Sequence, residues 1–122
     1  MNNKPRYTCD CDPDLAQEQK DTYVFSRQTI LDLPAWSKAY KQRLKDGNPP
    51  TVYIDNCIVE AIKLLWDKGI ETNGCCCGHG YMSAWVSVDP CDYVAMYELG
   101  YTLMPPTITD QGYAHGVYTF LL

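Results

Sequence analysis

The chain has 122 residues, the length of one domain, and its apolar fraction of 46% is enough to bury a core without stabilising cross-links. It contains no apolar run long enough for a membrane span and no signal-peptide pattern, so we expect a cytoplasmic protein without membrane contact. Residues 69–122 carry five acidic residues and no lysine or arginine. Because phosphate binding needs cations, this charge pattern does not favour nucleic acid as a partner.

The first 21 residues are predicted to form an arm. Residues 1–21 are polar and predict a loop or extended segment, whereas residues 22–122 are expected to form a single domain. Within this domain, residues 23–25 (Tyr-Val-Phe) predict a short strand. Pro34 suits the first turn of a helix that would end at Asp46-Gly47.

A strand followed by an amphipathic helix is predicted in the middle of the chain. The strand covers residues 51–54 and the helix residues 57–68, with Asp55 or Asn56 as its cap and Gly69 after its end. Apolar side chains recur at helical spacing and should form a core face. They are Ile58, Ala61, Ile62 and Leu65.

The remaining elements complete an α+β pattern. Short strands are predicted at residues 70–72 and 81–88, and a helix with a first-turn proline at residues 91–98. Residues 107–109 and 117–121 could pair as a final hairpin. We therefore expect a small α+β domain with a mixed or antiparallel sheet, two to three helices and a zinc-clasped N-terminal arm.

The segment 75–80, Cys-Cys-Cys-Gly-His-Gly, carries the strongest chemical signal in the chain. Zinc prefers four ligands, drawn mainly from cysteine sulfur and histidine nitrogen. Adjacent cysteines point in different directions, so we expect one or two of Cys75, Cys76 and Cys77 to bind together with His79. Gly78 and Gly80 allow the backbone to turn tightly there.

The missing zinc ligands are predicted to come from the arm. Cys9 and Cys11 would complete a site whose candidate ligands are Cys9, Cys11, Cys76, Cys77 and His79. Two alternatives remain open: thiols without metal, or disulfides, although seven cysteines cannot all pair. Cys57 and Cys91 lie in predicted helices and are interpreted as small apolar residues.

A thiol nucleophile is a further interpretation of the cysteine cluster. His79, or His115 from the C-terminal region, could act as its base, and nearby glycines could expose backbone N–H groups. No known protease or phosphatase signature surrounds these cysteines. His115 itself is expected to lie in a surface loop.

The segments 64–72 and 74–80 together resemble a class of small phage and prophage proteins. In these proteins a helix ends in glycine, a short strand follows, and a Cys-Cys-Gly-His-Gly turn precedes another strand. Leu99-Gly100-Tyr101 is similar too, so the resemblance covers about residues 50–101. It carries over Cys76, Cys77 and His79 by position. Most such proteins have no assigned activity.

The resemblance implies a phage-type accessory protein acting in the cytoplasm of a bacterial host cell. The first functional hypothesis is a zinc-stabilised, non-enzymatic protein that binds a host protein, as a counter-defence inhibitor of the anti-CRISPR kind. Its contact surface would be the aromatic, acidic C-terminal half. The alternative is a metal-dependent small-molecule or nucleotide binding protein, or a hydrolase with Asp10, Asp12 or Glu71 as base.

Overall fold

The computed structural model describes residues 9–18, 20–80, 83–103 and 118–122. Across these ranges the chain forms helices and two antiparallel sheets, which confirms the α+β class. None of the described helices combines the length and the apolar character needed to cross a membrane. Residues 107–109 and His115 lie outside the described ranges, so the expectations for them stay predictions.

Five α-helices occur in the described part of the chain. They are α1 (Pro13–Glu18), α2 (Lys20–Ser26), α3 (Lys38–Lys45), α4 (Val59–Asp67) and α5 (Tyr93–Glu98), with 3₁₀ turns at Asn56–Ile58, Gly78–Gly80 and Pro90–Asp92. The prediction of a loop or extended segment is wrong for residues 13–18 and 20–21, which are helical. The strand predicted at residues 23–25 is also wrong, because these residues lie in α2. The Tyr23 hydroxyl accepts a hydrogen bond from the Asp12 backbone at 2.8 Å and ties α2 to the start of α1. This tertiary contact overrides the local strand propensity.

Helix α3 begins later than predicted. Pro34 is not in its first turn; Ser37 is the N-cap, and its hydroxyl accepts from the Tyr40 backbone at 3.1 Å. The Glu71 carboxylate accepts from the next two free N–H groups, those of Lys38 and Ala39, at 2.8 and 3.2 Å. These partners fix the start of α3 four residues beyond Pro34.

Helix α4 confirms the amphipathic pattern found in the sequence. Its buried face consists of Ala61, Ile62 and Leu65, each fully removed from solvent. The predicted capping by Asp55 or Asn56 is wrong, since neither side chain caps the helix. Asp55 instead accepts a hydrogen bond from the Cys77 backbone at 3.0 Å, which links the start of this helix to the cysteine segment.

Two antiparallel sheets flank α4. The smaller pairs β1 (Gln28–Asp32) with β2 (Thr51–Asp55), and the larger has the order β3-β4-β6-β5. Its strands are β3 (Thr72–Cys76), β4 (Trp85–Val88), β5 (Thr102–Leu103) and β6 (Tyr118–Leu121). Fully buried Val86 and Phe120 from this sheet join the α4 face in one core. The sheet places the end of β3, with its cysteines, beside the end of β2.

Candidate metal centre

Residues 9–18 of the predicted N-terminal arm, called the arm below, bring two thiols to the body of the protein. A carboxylate oxygen of Asp12 accepts from the backbone N–H groups of Asp14 and Leu15, at 2.9 and 3.3 Å, and thereby caps α1. Helix α1 therefore begins just after Cys11, which is 8% exposed. Asp12, a candidate base from the sequence, has this structural role instead.

Two further thiols come from the core of the fold. Cys57 lies in the 3₁₀ turn that precedes α4, and its sulfur accepts from the Asp10 backbone at 3.2 Å. Cys77 follows β3 and is 2% exposed, with its N–H held by Asp55. Elements far apart in sequence thus converge on the arm.

The sulfurs of Cys9, Cys11, Cys57 and Cys77 all lie within 4.8 Å of one another and are called the thiol site below. The Cys9–Cys77, Cys11–Cys77 and Cys9–Cys57 distances are 3.5, 3.7 and 3.7 Å. A zinc–sulfur bond of about 2.3 Å gives a tetrahedral edge of about 3.8 Å, whereas a disulfide needs about 2.05 Å. All seven cysteines are free thiols. The spacing is therefore that of a metal-binding set and not of a disulfide.

A cationic side chain lies against the thiol site. The Arg27 guanidinium interacts with the thiols of Cys11 and Cys57, in that order of strength, and both interactions raise the pKa of Arg27. Its Nε is buried without a hydrogen-bond partner, and its Cζ lies 5.8 Å from the centre of the Tyr23 ring. A positive charge in this position favours negative charge on the sulfurs.

Without a metal ion, burial disfavours ionisation of Cys11 and Cys77. Burial raises the pKa of Cys11 to about 11 and also raises that of Cys77. Burial acts in the same direction on Cys57, but hydrogen bonds from the Asp10 backbone, Cys9 and Arg27 outweigh it and lower the pKa of this thiol. A metal ion would therefore displace protons when it binds the site.

A second group of candidate ligands, called the open site below, adjoins the thiol site. The ligand atoms of Asp55, Cys76 and His79 lie within 4.8 Å of one another. Cys76 Sγ is 3.3 Å from His79 Nε2, while His79 Nδ1 is 3.5 Å from Cys77 Sγ. The imidazole therefore stands between the two groups.

The predicted ligands are thus divided between two groups. Cys9, Cys11 and Cys77 meet in the thiol site, whereas Cys76 and His79 lie in the open site. Whether any of them binds metal stays a prediction.

Cys57 was not predicted as a ligand. The sequence offered one signal for it: Cys57 is the first residue of the predicted helix 57–68, and the side chain of a first helical residue can point away from the core face. Asp55 was also not predicted as a ligand, because the sequence indicates a helix cap at this position.

Cys75 and Cys91 belong to neither group. Cys75 packs against the core, and burial raises its pKa to about 12. Cys91 is exposed. Cys76, the thiol nearest to a histidine, also has its pKa raised by burial, which is opposite to what an activated nucleophile needs.

Comparison of the chain with protein families, curated proteins and solved structures gave no match. The class of protein is therefore defined by fold and site alone. It is an α+β protein with a partly buried cluster of cysteines that could bind a metal ion.

Proposed function

We propose that the thiol site binds one Zn²⁺ as a structural ion that holds the arm against α4 and β3. The observation that carries this proposal is the sulfur spacing of 3.5 to 3.7 Å, close to the edge of a zinc–thiolate tetrahedron. Four thiolates complete the coordination and leave no place for a substrate, which is typical of structural zinc.

The surroundings of the thiol site support this assignment. Four thiolates and Zn²⁺ carry a net charge of −2, and Arg27 offsets part of it from beside Cys11 and Cys57. Backbone N–H groups of Asp10 and Cys11 donate to the sulfurs of Cys57 and Cys9 at 3.2 and 3.4 Å. Such outer hydrogen bonds orient and stabilise metal-bound thiolates.

Native mass spectrometry of the purified protein tests this proposal. We expect a species heavier than the apoprotein by one tightly held zinc, and X-ray absorption dominated by sulfur neighbours at about 2.3 Å. A protein that holds no metal, or whose tightly held ion has mainly nitrogen and oxygen neighbours, would overturn the structural zinc. Iron in place of zinc would contradict the identity of the ion.

We propose further that the protein is a non-enzymatic accessory protein that binds a host protein through the α5 surface, defined as Val94, Tyr97 and Glu98. Val94 and Tyr97 are 61% and 64% exposed. The Tyr97 ring stacks on Tyr93 with a centroid distance of 6.1 Å, and Tyr93 packs on Phe120 at 5.9 Å. An aromatic ring fixed by the core loses little entropy on binding and suits an interface anchor.

The charge of this half of the chain indicates the chemistry of the partner. Residues 69–122 have five acids and no lysine or arginine, so a basic surface with an apolar pocket is complementary. The resemblance to small phage and prophage proteins supports a bacterial host protein as the partner. We propose counter-defence inhibition, of the anti-CRISPR kind, as the setting.

A capture experiment with matched variants tests the host-binding proposal. Tagged protein is expressed in a bacterial host, and captured proteins are quantified for wild type, Tyr97→Ala and Tyr53→Ala. Tyr53 is equally exposed, at 63%, but lies on β2 in the other sheet. We expect Tyr97→Ala to reduce capture of a specific basic host protein at least tenfold, and Tyr53→Ala to leave it unchanged. Equal capture by both variants would contradict the α5 surface.

One observation favours a second candidate function, a metal-dependent hydrolase or small-molecule binding protein. The open site offers only three protein ligands, and zinc sites with three protein ligands and a water are typically catalytic. Zinc-loaded wild type should then hydrolyse activated esters or phosphate esters, and Asp55→Asn should not. Equal hydrolysis by the two proteins would contradict the hydrolase and leave the accessory role as the remaining proposed function.

A further inference from the structure

The turn at Gly78–Gly80 holds a histidine in an unusual backbone conformation. His79 has φ 52° and ψ 26°, the left-handed region, and its neighbours Gly78 and Gly80 have φ of 81° and 85°. A non-glycine residue there costs about 1–2 kcal/mol and is often found at functional sites. The turn aims both ring nitrogens of His79 at sulfurs.

The two faces of this imidazole have different partners. Nδ1 lies 3.5 Å from Cys77 Sγ and 3.9 Å from Cys11 Sγ, both members of the thiol site. Metal-bound thiolates only accept hydrogen bonds, so with an ion in the thiol site Nδ1 would carry the proton and donate to them. Nε2 would then carry the lone pair on the other side, where it faces Cys76 Sγ at 3.3 Å.

Asp55 completes a set of three different donor atoms. Its carboxylate is 7% exposed and accepts from the Cys77 backbone at 3.0 Å and from the Gln28 amide at 3.2 Å. Both donors are neutral, and the ion pair found among the described residues, Lys38–Asp89, lies elsewhere. A cation bound beside a buried carboxylate that has neutral donors would stabilise its charge.

We propose that Asp55, Cys76 and His79 bind a second divalent cation of the zinc class through one oxygen, one sulfur and one nitrogen. Binding converts the Cys76 thiol to a thiolate and releases its proton to solvent. A water molecule takes the fourth position, because three protein ligands leave zinc one place short of a tetrahedron. The inference rests on the structural zinc in one respect: the first ion makes thiolates of Cys77 and Cys11, and these fix the tautomer of His79.

The two ions should therefore bind in order. The thiol site fills first, since it has four thiolates to one, and it then presents His79 Nε2 correctly to the open site. The second ion binds more weakly and exchanges with solvent through its water position. Zinc added to apoprotein should be taken up in two separate steps.

Zinc titration followed by native mass spectrometry tests the second site. With excess Zn²⁺, we expect two ions in wild type and in Cys91→Ser, whose thiol is exposed and remote from either site. We expect one ion in Cys76→Ser and in Asp55→Asn, which keep the approximate size of the residues they replace; Asn retains one of the two oxygens with which Asp55 accepts from the Cys77 backbone and the Gln28 amide. The inference is overturned if wild type takes up only one ion, or if both variants still take up two.

The outcomes separate this inference from the structural zinc. If wild type binds one ion with sulfur neighbours alone, the structural zinc is supported and the second site is contradicted. Wild type with no ion removes both. Far-UV circular dichroism of each variant, recorded with one equivalent of Zn²⁺, identifies any variant that fails to fold. If only one of Cys76→Ser and Asp55→Asn folds, the number of ions that this variant binds decides whether the second site exists.

Cobalt spectroscopy supplies a readout that does not depend on counting ions. The first equivalent of Co²⁺ should give the intense sulfur-to-metal charge-transfer absorption of a four-thiolate site. The second should add visible ligand-field bands with little further charge transfer. His79→Asn, which tolerates the left-handed backbone, should abolish only the second change. A first-equivalent spectrum altered by His79→Asn, with no second step in wild type, would place His79 at the thiol site and overturn the inference.

Discussion

Cys57 supplies the fourth sulfur of the thiol site from the turn before α4, a position where a cysteine would otherwise only fill space. Its sulfur accepts from the Asp10 backbone, so the arm is held even before an ion is considered. We expect Cys57→Ser to release the structural zinc and to lower the Tm by about 10 °C or more, since structural zinc contributes on the order of 10 kcal/mol. Calorimetry with metal analysis measures both effects.

Cys91→Ser is the matched control for Cys57→Ser. Cys91 is exposed, and its substitution should change neither the zinc content nor the Tm. If the two variants behaved alike, Cys57 would be only a packing residue.

Arg27 offers a second prediction at the scale of one residue. Its guanidinium lies against Cys11 and Cys57, and its removal leaves the thiolate charge uncompensated. Arg27→Gln should weaken zinc binding about 10- to 100-fold, the usual effect of losing a partner of metal ligands. Competition with a chelating dye measures the affinity. Arg43→Gln, at the exposed end of α3, should bind zinc as wild type does.

At the scale of elements, the arm and the turn at Gly78–Gly80 fit closely. A Cβ on Gly80 would lie 2.9 Å from the Cys11 carbonyl oxygen and 3.2 Å from Pro13 Cδ, while a Cβ on Gly47 would meet nothing within 4 Å. Both glycines have positive φ. Gly47→Ala should cost only about 1–2 kcal/mol of backbone strain, whereas Gly80→Ala should cost more and also weaken zinc binding. Chemical denaturation and dye competition measure the two; equal costs would contradict the close fit.

The carboxylate of Asp89, which follows β4, joins β3 to the start of α3. Asp89 accepts from the Asn73 amide at 2.8 Å and from Lys38 Nζ at 3.1 Å, and these contacts, in that order, lower its pKa. A lowered pKa means that the stabilisation is complete above the ordinary value of 3.8 and is lost as the pH falls through the folded-state value.

Asp89→Asn should therefore reduce the Tm by about 2 °C at pH 7 and by nothing near pH 2, because exposed ion pairs contribute little. Thermal melts across this pH range give the comparison. Asp32→Asn, at the exposed end of β1, is the control. A difference from wild type that persisted at pH 2 would show that Asp89 acts through something other than its charge.

Some elements could be predicted from the sequence because local signals decided them. The α4 pattern of Ile62 and Leu65, and the glycine after it, specify a helix whatever its neighbours. The arm could not be predicted, because α1 and α2 depend on contacts such as Tyr23 with Asp12, which no local pattern encodes. The same holds for the thiol site. Cysteine spacing indicated Cys9, Cys11 and Cys77, but only the packing of β2 against β3 brings Cys57 to them.

At the scale of the whole molecule, the thiol site joins parts of the chain that are remote in sequence. Cys9 is separated from Cys57 by 48 residues and from Cys77 by 68. A zinc ion bound there would stabilise the folded chain by its binding free energy, because these thiols come together only on folding. Chelation should therefore affect the arm more than the core formed by α4 and the larger sheet.

Limited proteolysis with and without EDTA checks this expectation. We expect EDTA to accelerate cleavage within residues 9–18 at least tenfold and to lower the Tm, while α4 remains protected for longer. Zinc, added back in excess of the chelator, should reverse both changes. Equal cleavage rates with and without EDTA would mean that the arm is held by its hydrogen bonds alone.

The sequence separation between Cys11 and Cys77 also sets the time that passes between their synthesis on the ribosome. A ribosome adds about 5–20 residues per second, so the 66 residues that separate these thiols take about 3 to 13 s to synthesise. Throughout that interval the nascent chain carries Cys9 and Cys11 without the complete set of thiols. During translation the first thiols made thus stay unprotected for longest, and oxidants can reach them before the fold closes.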